Sequence, residues 1–160
     1  MSIALDILLI IVLSSICIQD FKERKISLLL VVVGILLGGA IHFQQQNASV
    51  FFLAIFINVV FVAVLFLILA IYSKLKMKQS IFEVFGLGDL LFFVLLAISL
   101  PIISFIVVFV FSLIFSGTIF MLIKQNMKEK TVPLAGLQSA FLILVLLINK
   151  FTNTIDIYVM

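Results

Sequence analysis

Six long apolar segments, joined by short loops, make up most of the chain and limit the folds that it can adopt. A transmembrane helix needs about 20 predominantly apolar residues. The chain is 66% hydrophobic and only 11% charged, whereas soluble domains carry about 25% charged residues, so it lacks the polar surface of a water-soluble domain. We predict an all-α polytopic membrane protein that forms a single domain over residues 1–160. The predicted transmembrane helices are Ile3–Gln19, Ile26–Phe43, Val50–Tyr72, Phe85–Leu100, Ile102–Ile123 and Pro133–Asn149.

The basic residues are distributed unevenly among the loops, and this asymmetry predicts the topology. The first, third and fifth loops hold all of the ten Lys and Arg residues except Lys150. Because basic loops face the cytoplasm, these three loops are expected on the cytoplasmic side, which leaves both termini outside. In this topology Asp20, at the end of the first segment, and Asp89, at the start of the fourth, lie at similar depth at the cytoplasmic face. Pro101 is the expected break between the fourth and fifth segments.

Cysteine and histidine are too scarce for several kinds of site. Cys17 is the only cysteine and His42 the only histidine, so the sequence supports neither an internal disulfide nor a cysteine-based zinc site. We expect no metal and no cofactor, and we expect His42 to be a packed or interfacial residue at a helix end. The net charge of +3 comes from the short loops, and no nucleic-acid motif is present. The expected environment is a lipid bilayer, with the first segment retained as a helix rather than removed as a signal peptide.

Asp20 and Asp89 are the strongest candidates for chemistry. A carboxylate near a hydrocarbon core is costly, so it is a functional-site candidate. Asp89 closes the run Gly86-Leu87-Gly88-Asp89, in which glycines provide φ freedom and allow close approach of another chain. Structural interpretations stay open for each aspartate. Asp89 is also suited to a helix N-cap, and Asp20 to a solvated, loosely paired loop.

Taken together, the two aspartates form a candidate acid–base pair. Two close carboxylates share one proton because both cannot ionise cheaply. The ionised member would take a proton from water as the water attacks a scissile carbonyl, while the protonated member donates to the carbonyl oxygen. Such a pair titrates as a unit.

Three segments of the chain carry a resemblance to a known family. The run from Asp20 to Ile26 is similar to a pattern of an aspartate, a short polar stretch and an Ile/Leu-Pro pair. The run from Glu83 to Asp89 resembles the pattern E-G-x-G-x-G-D, and the run from Val132 to Gly136 resembles I-P-F-G-P. In these motifs, their order and the six-helix layout, the chain resembles the prepilin peptidases, the type IV leader peptidase family of membrane aspartic proteases with a GxGD motif.

The resemblance implies a function and a site. Members of this family remove the short basic leader from type IV prepilins or pseudopilins after a glycine, at the cytoplasmic face of the bacterial inner membrane. By resemblance, Asp20 and Asp89 are the catalytic pair, Gly86 and Gly88 shape the loop that presents Asp89, and Glu83 is a supporting residue. The expected partner is a prepilin or pseudopilin whose apolar N-terminal helix follows the leader.

The chain also departs from the family pattern. Ser27 stands where the family has proline, and Leu91 stands where many members carry lysine. The larger members have a cysteine-rich zinc domain and methylate the new pilin N-terminus, and this chain resembles the short form that has only the peptidase. Methylation stays undecided.

Other functions stay open at this stage. A related GxGD protease would cut signal peptides or other transmembrane helices with the same chemistry. A small cation transporter or channel subunit would use the carboxylates as ligands, and a structural membrane protein would have no activity. Inside the bundle, Asn58 is expected to hydrogen-bond to a neighbouring helix, and Gly34 and Gly38 to allow close helix packing.

Overall fold

The computed structural model describes residues 3–77, 86–124, 132–152 and 157–158. Within these ranges every regular element is helical, and a π-helical turn, Ser73–Met77, follows the third α-helix. The α-helices are α1 (Ile3–Glu23), α2 (Leu28–Gln45), α3 (Ala48–Tyr72), α4 (Leu87–Ser99), α5 (Ile102–Ile123) and α6 (Leu134–Thr152).

The helices follow the predicted apolar segments closely. Helix α5 has the predicted bounds, and the chain turns between α4 and α5 at Pro101, the predicted break. Helix α1 continues past its predicted end at Gln19 through one further polar turn and ends at Glu23. Four of the described helices, α1, α2, α3 and α5, are long and apolar enough to cross a membrane, while α4 and the apolar stretch of α6, Leu134–Lys150, are shorter. The all-helical, membrane-type fold is confirmed at this level, and the count of six spans and the orientation of the termini stay predictions.

Helix α4 lies at the centre of the bundle and packs against α2, α3, α5 and α6. Its buried side chains, among them Phe92, Phe93 and Leu96, point in several directions, as expected for a helix that is apolar on all sides. Its 13 residues extend about 20 Å, which is less than the hydrocarbon thickness of about 30 Å. Helix α4 is therefore too short to cross a bilayer unaided, and its ends need partners inside the bundle.

Two buried polar side chains provide those partners at the C-terminal end of α4. The Asn58 side-chain amide of α3 donates to the carbonyl oxygens of Ala97 and Leu100, at 3.0 and 2.9 Å. The His42 Nδ1 atom of α2 lies 2.9 Å from the carbonyl oxygen of Ile98. A carbonyl only accepts, so His42 Nδ1 carries the proton of this bond. Asn58 makes the predicted hydrogen bonds to a neighbouring helix, and His42 is the predicted packed residue, buried in the last turn of α2. Both side chains also satisfy carbonyls that a helix end leaves free.

Glycines bring α2 close to α4. A Cβ atom added at Gly34 would lie 2.6 Å from Leu95 Cδ1, and one at Gly38 would collide with Ser99 Oγ and lie 2.7 Å from Ser99 Cβ. Small residues allow this approach between membrane helices. The prediction that Gly34 and Gly38 serve packing within the bundle is therefore confirmed.

Replacing Gly38 with alanine should destabilise the bundle, because the added methyl group has no room beside Ser99. We expect Gly38→Ala to lower the free energy of unfolding by about 1–3 kcal/mol, measured as a lower Tm by circular dichroism in detergent. The matched control is Gly117→Ala on α5, where an added Cβ meets nothing within 4 Å and alanine favours the helix.

The double variant Gly38→Ala/Ser99→Gly tests the proposed cause. Without the Ser99 side chain, the nearest atom of residue 99 is its Cα at 3.5 Å, an ordinary contact. Part of the lost stability should return. A Gly38→Ala protein that unfolds at the wild-type temperature would contradict the close contact.

Candidate active site

Asp20 lies in the last turn of α1, and its side chain is only 6% exposed. The helix ends where Arg24 adopts a left-handed backbone conformation with φ 54°. The Arg24 N–H donates to the Asp20 carbonyl oxygen at 3.2 Å, which satisfies a free carbonyl at the helix end. The Asp20 carboxylate accepts a hydrogen bond from the Gly136 N–H at 2.6 Å. Asp20 is therefore a buried, bonded residue, and the alternative of a solvated loop aspartate is wrong.

Asp89 lies in the first turn of α4 and is half-buried. Gly86 is the N-cap residue of this helix, so the alternative that Asp89 itself is the N-cap is wrong. The Asp89 N–H donates to the Gly86 carbonyl oxygen at 3.1 Å, and the Asp89 carboxylate accepts from the Gly86 N–H. The Asp89 side chain thus serves the N-cap N–H as the third helical residue of a capping box does, while Gly86 has no side chain for the reciprocal bond. The carboxylate also accepts from the Ala135 N–H at 3.0 Å.

The two carboxylates thus meet at one helix end. Ala135 and Gly136 are consecutive residues in the first turn of α6, where backbone N–H groups have no partner within the helix. The helix dipole also favours negative charge there. The aspartates are close enough for the charge of Asp20 to act on Asp89. The structure therefore brings together the two aspartates that the sequence analysis paired.

Gly136 leaves no space for a side chain beside Asp20. An added Cβ would lie 2.9 Å from Asp20 Oδ2, 3.0 Å from Asp20 Cβ and 3.3 Å from the Cys17 carbonyl oxygen. This close approach lets the Gly136 N–H reach the carboxylate. In the sequence Gly136 stands out only as part of a motif, and the amides of Ala135 and Gly136 could not be predicted, because backbone donors have no side-chain signature.

Gly88, at the start of α4, packs against Ile26 in the loop that follows α1. A Cβ added at Gly88 would lie 3.0 Å from Ile26 Cδ1 and 3.3 Å from Ile26 Cγ1. Ile26 of the same chain thus approaches Gly88 closely, and the predicted approach of another chain stays a prediction. The expected φ freedom is not used, because Gly86 has φ −64° and none of the described glycines has a positive φ.

Ser27 has a backbone suited to the proline that the family resemblance predicts at this position. It is the N-cap residue of α2 with φ −65°, the value that a proline ring imposes. Its N–H, which proline would lack, donates to the Gln19 side-chain oxygen at 2.8 Å. Gln19 and Ser27 therefore fix, by a hydrogen bond, the turn that links Asp20 to Ile26.

The remaining candidates are placed as follows. Glu83 lies outside the described residues. Within the described part of the chain, no group of three or more His, Cys, Asp and Glu side chains is arranged to hold a metal ion. The Cys17 side chain, one turn before Asp20, lies beside Ser139 of α6. The site consists of two carboxylates, the backbone donors of α6 and the glycine-rich turn.

Comparisons with protein-family models, with curated proteins and with solved structures find no match to this chain.

Gly136→Ala should disturb the site directly. The added methyl group would push against the Asp20 carboxylate, so the bond from residue 136 to Asp20 must lengthen. We expect a net loss of about 1–2 kcal/mol in the free energy of unfolding, since a steric cost of about 1–3 kcal/mol exceeds the gain from alanine in a helix. The measurement is Tm in detergent, with Gly117→Ala as the matched control. Equal stabilisation by both substitutions would contradict the contact with Asp20.

Proposed function

We propose that the chain is a membrane aspartic endopeptidase that removes the basic leader of type IV prepilins or pseudopilins after a glycine. The observation that carries this proposal is the meeting of Asp20 and Asp89 at consecutive N–H groups of α6. Each aspartate comes from a different helix, and a third helix holds both. A pair held so closely is suited to share one proton.

The mechanism follows from two carboxylates with one proton. The ionised carboxylate takes a proton from water, whose oxygen attacks the scissile carbonyl carbon. The protonated carboxylate donates its proton to the carbonyl oxygen, which gives a neutral tetrahedral intermediate. Collapse of this intermediate breaks the C–N bond. The carboxyl that took the proton from water gives it to the leaving nitrogen, and the other carboxylate takes a hydroxyl proton from the intermediate. The pair acts as a unit, and the bonds from Ala135 and Gly136 fix both carboxylates in position.

The substrate class rests on the resemblance and on the position of the site. The aspartates lie at the ends of apolar helices that adjoin basic loops, so the scissile bond would lie at the membrane face. The apolar helix of a prepilin would stay in the bilayer and its leader in the cytoplasm of a bacterial cell. A glycine before the scissile bond would let the peptide backbone approach the half-buried Asp89 closely.

A related GxGD protease of other transmembrane or signal peptides would use the same two aspartates. The leader of a prepilin is favoured because three segments resemble prepilin peptidase motifs. The transport alternative is weaker, because Asn58 uses its side-chain N–H groups on the end of α4 rather than on a path through the bundle.

A cleavage assay tests the proposal. Purified protein is incubated in detergent or lipid with a peptide that has a basic leader, a glycine and an apolar helix, and products are identified by mass spectrometry. We expect a cut after the glycine by the wild type. Asp20→Asn and Asp89→Asn should each lose activity by about 100-fold to 10,000-fold, the range of general acid–base contributions.

Asp6→Asn is the matched control. Asp6 lies in the first turn of α1 and pairs with Lys150 at 2.9 Å, away from the other two aspartates. The Asp6→Asn variant should cut the peptide at the wild-type rate. Near-normal cleavage by Asp20→Asn or Asp89→Asn would refute the dyad. If a folded wild type leaves the leader peptide intact, the prepilin substrate is wrong.

A further inference from the structure

The described C-terminal residues Ile157 and Tyr158 are buried at the end of the bundle opposite to the aspartates. Ile157 is 6% exposed and Tyr158 is 2% exposed, and both belong to the main apolar core. They lie near the C-terminal end of α4, whereas Asp89 lies at its N-terminal end. The site in the preceding subsections does not use these two residues.

Side chains from three parts of the bundle hold this segment by its backbone. Ser104 Oγ of α5 donates to the Ile157 carbonyl oxygen at 2.5 Å, and Gln46 Nε2, after α2, donates to the Tyr158 carbonyl oxygen at 2.5 Å. The Ile157 N–H donates to Asn149 Oδ1 of α6 at 3.4 Å. Each buried polar group among them would lose a partner if the segment left. The segment is therefore bonded in place and not merely adjacent to the bundle.

The segment covers the polar end of the short helix α4. The Tyr158 ring centroid lies 6.4 Å from that of His42, whose Nδ1–H bonds to the end of α4. His42 is fully buried, and within the described residues its Nε2 atom has no hydrogen-bond partner. Contact with water would stabilise a buried acceptor of this kind, because a water molecule could donate a hydrogen bond to it. The segment that covers His42 must therefore be bonded firmly enough to keep water out.

We propose that Ile157–Tyr158 is an intramolecular plug that closes the end of the bundle remote from Asp20 and Asp89. Because α4 is shorter than a bilayer is thick, its C-terminal end leaves space that another part of the chain must fill. The plug fills it with a tyrosine ring and with backbone groups bonded to Gln46, Ser104 and Asn149. The plug does not depend on the proposed peptidase activity.

The single histidine reports on the plug without an engineered probe. Diethyl pyrocarbonate modifies a neutral imidazole nitrogen that is accessible, and modification of His42 is followed by peptide mass spectrometry on full-length protein carrying a histidine-free tag. Two variants loosen the plug, Tyr158→Ala and Gln46→Leu/Ser104→Ala. We expect His42 to react slowly in the wild type and at least about tenfold faster in both variants, the change that corresponds to 1.4 kcal/mol of lost closure.

Two controls separate opening of the plug from loosening of the whole bundle. Ser116→Ala removes a buried hydroxyl from the same helix as Ser104. Among the described residues, Ser116 donates to the Ser112 carbonyl oxygen within α5, and His42 should keep its wild-type rate. The native Cys17, near Asp20, should react with a thiol reagent equally fast in the wild type and in the plug variants. Unchanged His42 reactivity in both plug variants would overturn the proposal. A parallel increase at Cys17 and His42 would overturn it as well.

Discussion

A helix end inside a bilayer must find partners for its free backbone groups within the protein, because the hydrocarbon offers none. The buried polar residues of this chain lie where that requirement is strongest. Asn58 and His42 donate hydrogen bonds to carbonyl oxygens at the end of α4. Asp20 and Asp89 accept hydrogen bonds from N–H groups in the first turn of α6. Structural and chemical roles therefore coincide, since the carboxylates that complete α6 also form the candidate dyad.

Much of the bundle follows from hydrophobicity and helix-breaking residues. The bounds of α5, the break at Pro101 and the interhelical bonds of Asn58 were all predicted from the sequence. These features depend on residue type and segment length, which the sequence displays directly. The central position of α4 was not predicted, because the choice of neighbouring helices depends on contacts such as that of Gly38 with Ser99, which join distant positions.

The site was predicted in its carboxylates but not in its supporting groups. Asp20 and Asp89 stand out because charge is rare and costly in an apolar chain. The donors from Ala135 and Gly136 are backbone atoms, which every residue except proline possesses, so no side-chain pattern distinguishes them. The role of the glycines was predicted in part. Gly88 is closely approached, but by Ile26 of the same chain, and the expected φ freedom is not used, because an ordinary helical turn already places Asp89.

The bond between Asp20 and Gly136 spans 116 positions of the sequence, and this has a consequence for biogenesis. A ribosome completes α1 and α4 long before the amides of α6 emerge, so both aspartates enter the membrane before their donors exist. A nascent bundle that lacks α6 has two unsupported carboxylates and no ordered dyad. Docking of α6 is therefore the step that completes the site, and a chain interrupted before that point lacks both backbone donors.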